Sequence, residues 1–161
     1  MEGPGPSPLT ARLAADHRDI DGLIRAAAEA LAAGSPEEAH AALDWLWIRL
    51  AVHIRAEHKV LFPALSEAHP DLGASLGLLR KDHDFFMAAL AGAVKALAGA
   101  AQDRKAAESA LEAVRQRLAP HNALEEDGVY PAADSLPAAL RSRLMAEVAR
   151  ELTALPARYA P

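Results

Sequence analysis

The chain has 161 residues, enough for one domain with a real core, and 52% of them are hydrophobic while only 4% are aromatic. Ala and Leu dominate over β-branched residues, which favours helix over strand. With no cysteine, disulfides, thiolate-ligated clusters and Cys-based zinc sites are excluded, and a reducing cytoplasmic setting fits. The net charge of −5 comes without any basic run, which speaks against nucleic acid as a partner, and no apolar stretch is long enough for a membrane span.

In chain order, Met1–Leu9 reads as a loose arm rich in Pro and Gly, without the basic start and apolar core of a signal peptide. A first helix is expected from about Leu9 to Ala33, with Leu13, His17, Ile20 and Ile24 on one stripe and Gly34 as its stop. Ser35-Pro36-Glu37-Glu38 forms a capping box that opens a second helix, expected to reach Ala68 and to kink at Pro63. Leu46, Leu50, His53 and Glu57 share one side of it. Asp71 is the expected cap of a third helix reaching Ala100, with Leu79, His83, Phe86, Met87 and Leu90 inward. The fourth covers about Arg104 to Ala132, carries Val114, Leu118, His121, Leu124 and Glu125 inward, and should bend at Pro120. A last helix, about Leu136 to Leu155, holds no His and reads as a packing or docking element. Four long helices with short turns define an all-α, up-down-up-down four-helix bundle with an additional C-terminal helix, in a single domain spanning 1–161.

One pattern occurs twice. Asp16-His17, His53-x-x-x-Glu57 and Phe62-Pro63 are matched by Asp82-His83, His121-x-x-x-Glu125 and Tyr130-Pro131. The paired His precedes the H-x-x-x-E His by 36 residues in one copy and 38 in the other, and the aromatic-Pro follows it at the same offset in both. In H-x-x-x-E the two side chains lie one helical turn apart on the same face, so His53 with Glu57, and His121 with Glu125, can grip one centre. His17 and His83 add an imidazole each. Four imidazoles and two carboxylates suit iron, manganese or zinc and disfavour Cu(I). Buried carboxylates without cations would cost several kcal/mol each, roughly, by desolvation.

Alone, a His on an apolar stripe is more often a satisfied core residue, and a single H-x-x-x-E an exposed pair; the duplication is what favours ligands. His58 follows Glu57 as Glu126 follows Glu125, and it reads as a flanking or surface residue with a supporting or ligand role as the alternative. His40 and His69 have no counterpart and read as solvent-facing. Trp45 and Trp47 cannot point the same way, so one is expected in the core and one at a rim. Asp16 and Asp82 either support a ligand or are solvated. Tyr130 reads as a packing residue with its hydroxyl near the surface.

These elements resemble the hemerythrin-like, or HHE cation-binding, family, over about Ala11 to Ala132. The resemblance implies a four-helix bundle with a non-haem di-iron centre, carboxylate- and oxo- or hydroxo-bridged. His17 and His53 would bind one iron, His83 and His121 the other, and Glu57 and Glu125 would bridge. The oxygen carriers of the family have a further His where this chain has Met87, and an Asp five residues after the fourth-helix His. Here Glu125 and Glu126 stand four and five after His121, and related members with Glu at four select Glu125. The resemblance implies binding or sensing of dioxygen, peroxide or nitric oxide, or iron handling, by a monomer or homodimer. The alternatives are a di-iron enzyme that disproportionates peroxide or oxidises Fe(II), and a zinc-filled or metal-free helical interaction module.

Overall fold

The computed structural model describes residues 7–100 and 102–159, so most of the expected N-terminal arm lies outside the described residues. The secondary structure among them is entirely helical. Helix α1 (Pro8–Ala33) starts one residue earlier than its apolar stripe suggests, because Ser7 caps it and Pro8 fits its first turn. It stops at Gly34, where a β-carbon would lie 2.7 Å from the Ala30 carbonyl oxygen. Helix α2 (Pro36–Ala56) opens with the expected reciprocal box: Glu38 N–H donates to Ser35 Oγ at 3.2 Å, and Ser35 N–H to Glu38 Oε2 at 3.1 Å.

The expected kink at Pro63 takes a specific form. A π-helical turn, Glu57–Leu61, separates α2 from α3 (Phe62–Ala68), and the Phe62 N–H reaches back five residues to the Glu57 carbonyl. Pro63 lacks an N–H and its ring crowds the preceding turn, so one widened turn just before it removes both conflicts. The second copy repeats this. Helix α5 (Arg104–Leu124) is followed by a π-helical turn, Glu125–Val129, then α6 (Tyr130–Asp134), and Tyr130 N–H reaches the Glu125 carbonyl. The bend expected at Pro120 is not where helical geometry departs: α5 runs through it, and both Pro120 and Gln116, whose carbonyl loses its partner, are exposed to water.

Asp71 does not cap the third long helix. It sits in a 3-10 turn, Pro70–Leu72, and α4 (Gly73–Ala98) begins after it with no side-chain cap. Asp103 does cap α5, accepting from Ala106 N–H at 3.0 Å.

Helices α1, α2, α4 and α5 form a closed ring, each packed on two neighbours. Its interior holds two apolar clusters. One contains Leu13, Val52, Leu79 and Val129, the other Ile20, Leu50, Phe86 and Leu118. The chain crosses from the first to the second along α1 and α4, and back along α2 and α5, which is the up-down-up-down order. Helix α7 (Ala138–Thr153) lies against α2 and α1 and adds Leu144, Val148 and Leu152 to the first cluster. Arg55, Lys59 and Glu151 pin it from outside, at 2.9 Å and 2.6 Å to the Glu151 carboxylate. Tyr159, beyond α7, reaches Asp44 and packs on Trp45. Trp45 and Trp47 are both half-buried, so the expected split into one core and one rim ring is not found.

Candidate metal centre

Between the two apolar clusters lies one polar layer. His17 falls between Leu13 and Ile20 on α1, and His83 between Leu79 and Phe86 on α4, so each imidazole is carried to the middle of the bundle by the apolar stripe around it. His53 and Glu57 enter from the end of α2 and the following π-helical turn, and His121 and Glu125 from the matching place after α5. All six are buried, Glu57 and Glu125 completely. The structure therefore brings together every residue singled out as a ligand.

The four imidazoles point the same nitrogen inward. His17 Nε2 lies 3.2 Å from His53 Nε2, and His83 Nε2 lies 3.0 Å from His121 Nε2. Each carboxylate reaches both pairs. Glu57 Oε1 is 3.6 Å from His53 Nε2 while its Oε2 is 3.3 Å from His83 Nε2. Glu125 Oε2 is 3.0 Å from His17 Nε2 while its Oε1 is 3.2 Å from His121 Nε2. His17, His53, Glu57 and Glu125 form one group able to hold a cation, and His83, His121 and Glu125 another.

The outward nitrogens are all engaged. His53 Nδ1 donates to Asp16 Oδ2 at 2.9 Å, and His121 Nδ1 to Asp82 Oδ2 at 3.1 Å. Asp16 and Asp82 are thus buried partners of an imidazole on the neighbouring helix, not solvated residues. An arginine one turn before each acceptor's imidazole holds the carboxylate in turn: Arg49 on Asp16 at 2.8 Å, Arg117 on Asp82 at 2.7 Å. His17 Nδ1 donates to Glu126 at 2.7 Å, and His83 Nδ1 lies 2.8 Å from His58 Nε2. His58 and Glu126 occupy matching places in the two copies, and each serves the paired His of the opposite copy. This corrects the surface reading of His58. It also separates Glu125, inside the layer, from Glu126, which is 41% exposed outside it. His40 and His69 are half-buried and away from the layer, and His69 bonds to Ser135 at 2.9 Å.

A carboxylate can only accept, so the Nδ1 protons fixed by Asp16, Asp82 and Glu126 leave the facing Nε2 atoms bare in the neutral rings. Glu57 Oε2 and Glu125 Oε1 are buried and receive no hydrogen bond. Lone pairs converge on lone pairs, and a positive charge is what such a layer lacks. The polypeptide alone answers with protons. Burial opposes charge on His53, but Glu57 and Asp16 outweigh it and push its pKa up to about 10. His121 is raised against the same burial by Glu125 and Asp82. Burial also works against a charged Glu125, yet the facing imidazoles of His121, His17 and His83 hold it well below the usual carboxylate range. Asp16, likewise opposed by burial, is held at about 2 by His53 and Arg49. The donor set fits cations: nitrogen and carboxylate oxygen, with tautomers fixed from behind.

Sequence reasoning also misplaced Tyr130. Tyr130 is fully buried, and its hydroxyl donates to Glu57 Oε1 at 2.6 Å instead of reaching the surface. Its place after the π-helical turn turns it inward, and the matching Phe62, also fully buried, was the available signal.

A helical bundle with a buried layer of imidazoles and carboxylates defines a metal-binding helical protein. The chain belongs to the hemerythrin family: the model of the hemerythrin HHE cation-binding domain matches residues 9–133. No curated protein and no solved structure gives a significant match. No helix among the described residues is long and apolar enough to cross a membrane.

Proposed function

We propose that the chain is a non-haem di-iron protein that binds or senses dioxygen or a related small oxidant, peroxide or nitric oxide, or handles iron. The observation that carries this reading is the set of four inward Nε2 atoms facing two carboxylates, each with one buried oxygen, Glu57 Oε2 and Glu125 Oε1, that lacks a hydrogen bond. On this reading His17 and His53 hold one ion, His83 and His121 the other, and Glu57 and Glu125 bridge, since each carboxylate already divides its oxygens between the two pairs. Bound iron supplies a redox-active Lewis acid, and manganese or zinc would suit the same donors.

The chain's own residues prepare that site. Asp16, Asp82, Glu126 and His58 hold the Nδ1 protons outward and fix each ring's orientation. Phe62 and Phe86, both fully buried, wall the layer against water. A cavity of about 670 Å³ between α1 and α5 is lined in part by His17 and Glu126, on the outer side of the layer.

The test is iron content and visible absorption of iron-loaded protein, reduced and then exposed to dioxygen, peroxide or nitric oxide. An iron-dependent absorption that changes on exposure is expected. Iron-loaded protein that stays colourless and unresponsive would overturn the reading. Zinc alone, below one ion per chain, would instead favour a helical interaction module. Sustained oxygen release from added peroxide would move the function to an enzyme.

A further inference from the structure

Tyr130 and Phe62 occupy matching places in the two copies, and their rings pack alike. Phe62 stacks on His83 with centroids 5.9 Å apart and planes at 11°, and Tyr130 stacks on His17 at 5.6 Å and 27°. The two side chains differ by one oxygen. Phe62 shows that the packing needs no hydroxyl, and a hydroxyl costs free energy to bury unless something inside uses it.

That oxygen lies among the donors of one half of the centre. Tyr130 Oη is 2.6 Å from Glu57 Oε1, 3.1 Å from His17 Nε2 and 3.2 Å from Glu125 Oε2. Donors bound ~2.0–2.2 Å from one ion sit about 3 Å apart when adjacent. The donors of this half are spaced that way: His17 Nε2 is 3.2 Å from His53 Nε2 and 3.0 Å from Glu125 Oε2. The phenol oxygen has the separations of one more member of the same set. No hydroxyl stands at the matching place beside His83 and His121.

We propose that Tyr130 is a further metal ligand, its phenolate oxygen joining His17, His53, Glu57 and Glu125 on one ion. This inference rests on the metal-centre reading above. On binding, the O–H bond breaks, the oxygen keeps the electron pair and donates it to the cation, and the proton passes to solvent; no electron is transferred. The two ions are then unlike despite the duplicated scaffold. The His17–His53 half gains an anionic oxygen, and the His83–His121 half, one donor short, keeps the position that a small molecule can take.

The test uses the full chain loaded with ferric iron, wild type and Tyr130→Phe, compared by visible absorption and by resonance Raman excited in that absorption. The substitution removes only the oxygen and leaves the ring that Phe62 already uses in the other half. Wild type is expected to show a phenolate-to-iron charge-transfer band with enhanced vibrations of a bound phenolate ring, and Y130F to lose both at unchanged iron content. If Y130F binds less iron, the wild-type Raman spectrum decides alone. Iron-loaded wild type without bound-phenolate modes, or modes that persist in Y130F, would overturn this inference and leave the di-iron reading standing. A chain that takes up no iron would overturn both.

Discussion

Asp16 and Asp82 hold equivalent places, yet their removal should not cost the same. Each accepts from an imidazole Nδ1 and from an arginine. Asp16 has a fully buried side chain and its partner Arg49 is only 15% exposed. Asp16→Ala therefore strands a guanidinium away from water, and breaking a buried pair from one side costs about 3–5 kcal/mol. The Asp82 side chain is 11% exposed and Arg117 42% exposed. In Asp82→Ala the Arg117 guanidinium turns to water, and what remains is the unsatisfied His121 N–H, about 1–3 kcal/mol. Urea unfolding of metal-free wild type, D16A and D82A measures both, with equal m-values as the check that the unfolding reaction is unchanged. Each variant should also bind metal about 10–100-fold more weakly, because an imidazole loses the group that orients it. Equal costs for the two variants, or a D82A cost exceeding that of D16A, would refute the reasoning from burial.

Glu126→Ala should weaken metal binding by about tenfold, the low end for such supporting groups, since Glu126 holds His17 from a largely solvated position; a metal titration measures it. His69→Ala should leave metal content unchanged by elemental analysis, because His69 bonds only near Ser135. Metal at a hundred times its dissociation constant should add about 2.7 kcal/mol to stability, raising Tm by about 5–10 °C in a melt with and without chelator. Leu144→Ala, in α7, should cost about 2–5 kcal/mol in denaturant unfolding while metal content stays at the wild-type level.

The six central residues were legible because ligand-type residues recur at matched offsets, and because each lies on a stripe that a helix must bury. The helix count and the Ser35 capping box were legible for similar local reasons. What stayed hidden depends on contacts between helices or on departures from regular helical geometry. Asp16 and Asp82 stand beside His17 and His83 in the sequence, but they serve His53 and His121 across the bundle, a pairing that no single-helix pattern encodes. His58 and Glu126 exchange between halves in the same way. The inward hydroxyl of Tyr130 is not legible because the turn before it is widened, the Tyr130 N–H spanning five residues, not four. Pro63 and Pro131 signal that the helix must adjust, but not that the adjustment is a π-helical turn.

The central claim is that six side chains from two matched halves hold a pair of cations. Anomalous diffraction at the iron edge from crystals of the iron-loaded chain tests it most directly. The account predicts two anomalous peaks inside the polar layer, one beside His17 and His53 and one beside His83 and His121, with Glu57 and Glu125 between them. Peaks outside that layer, a single peak within it, or none would contradict the claim.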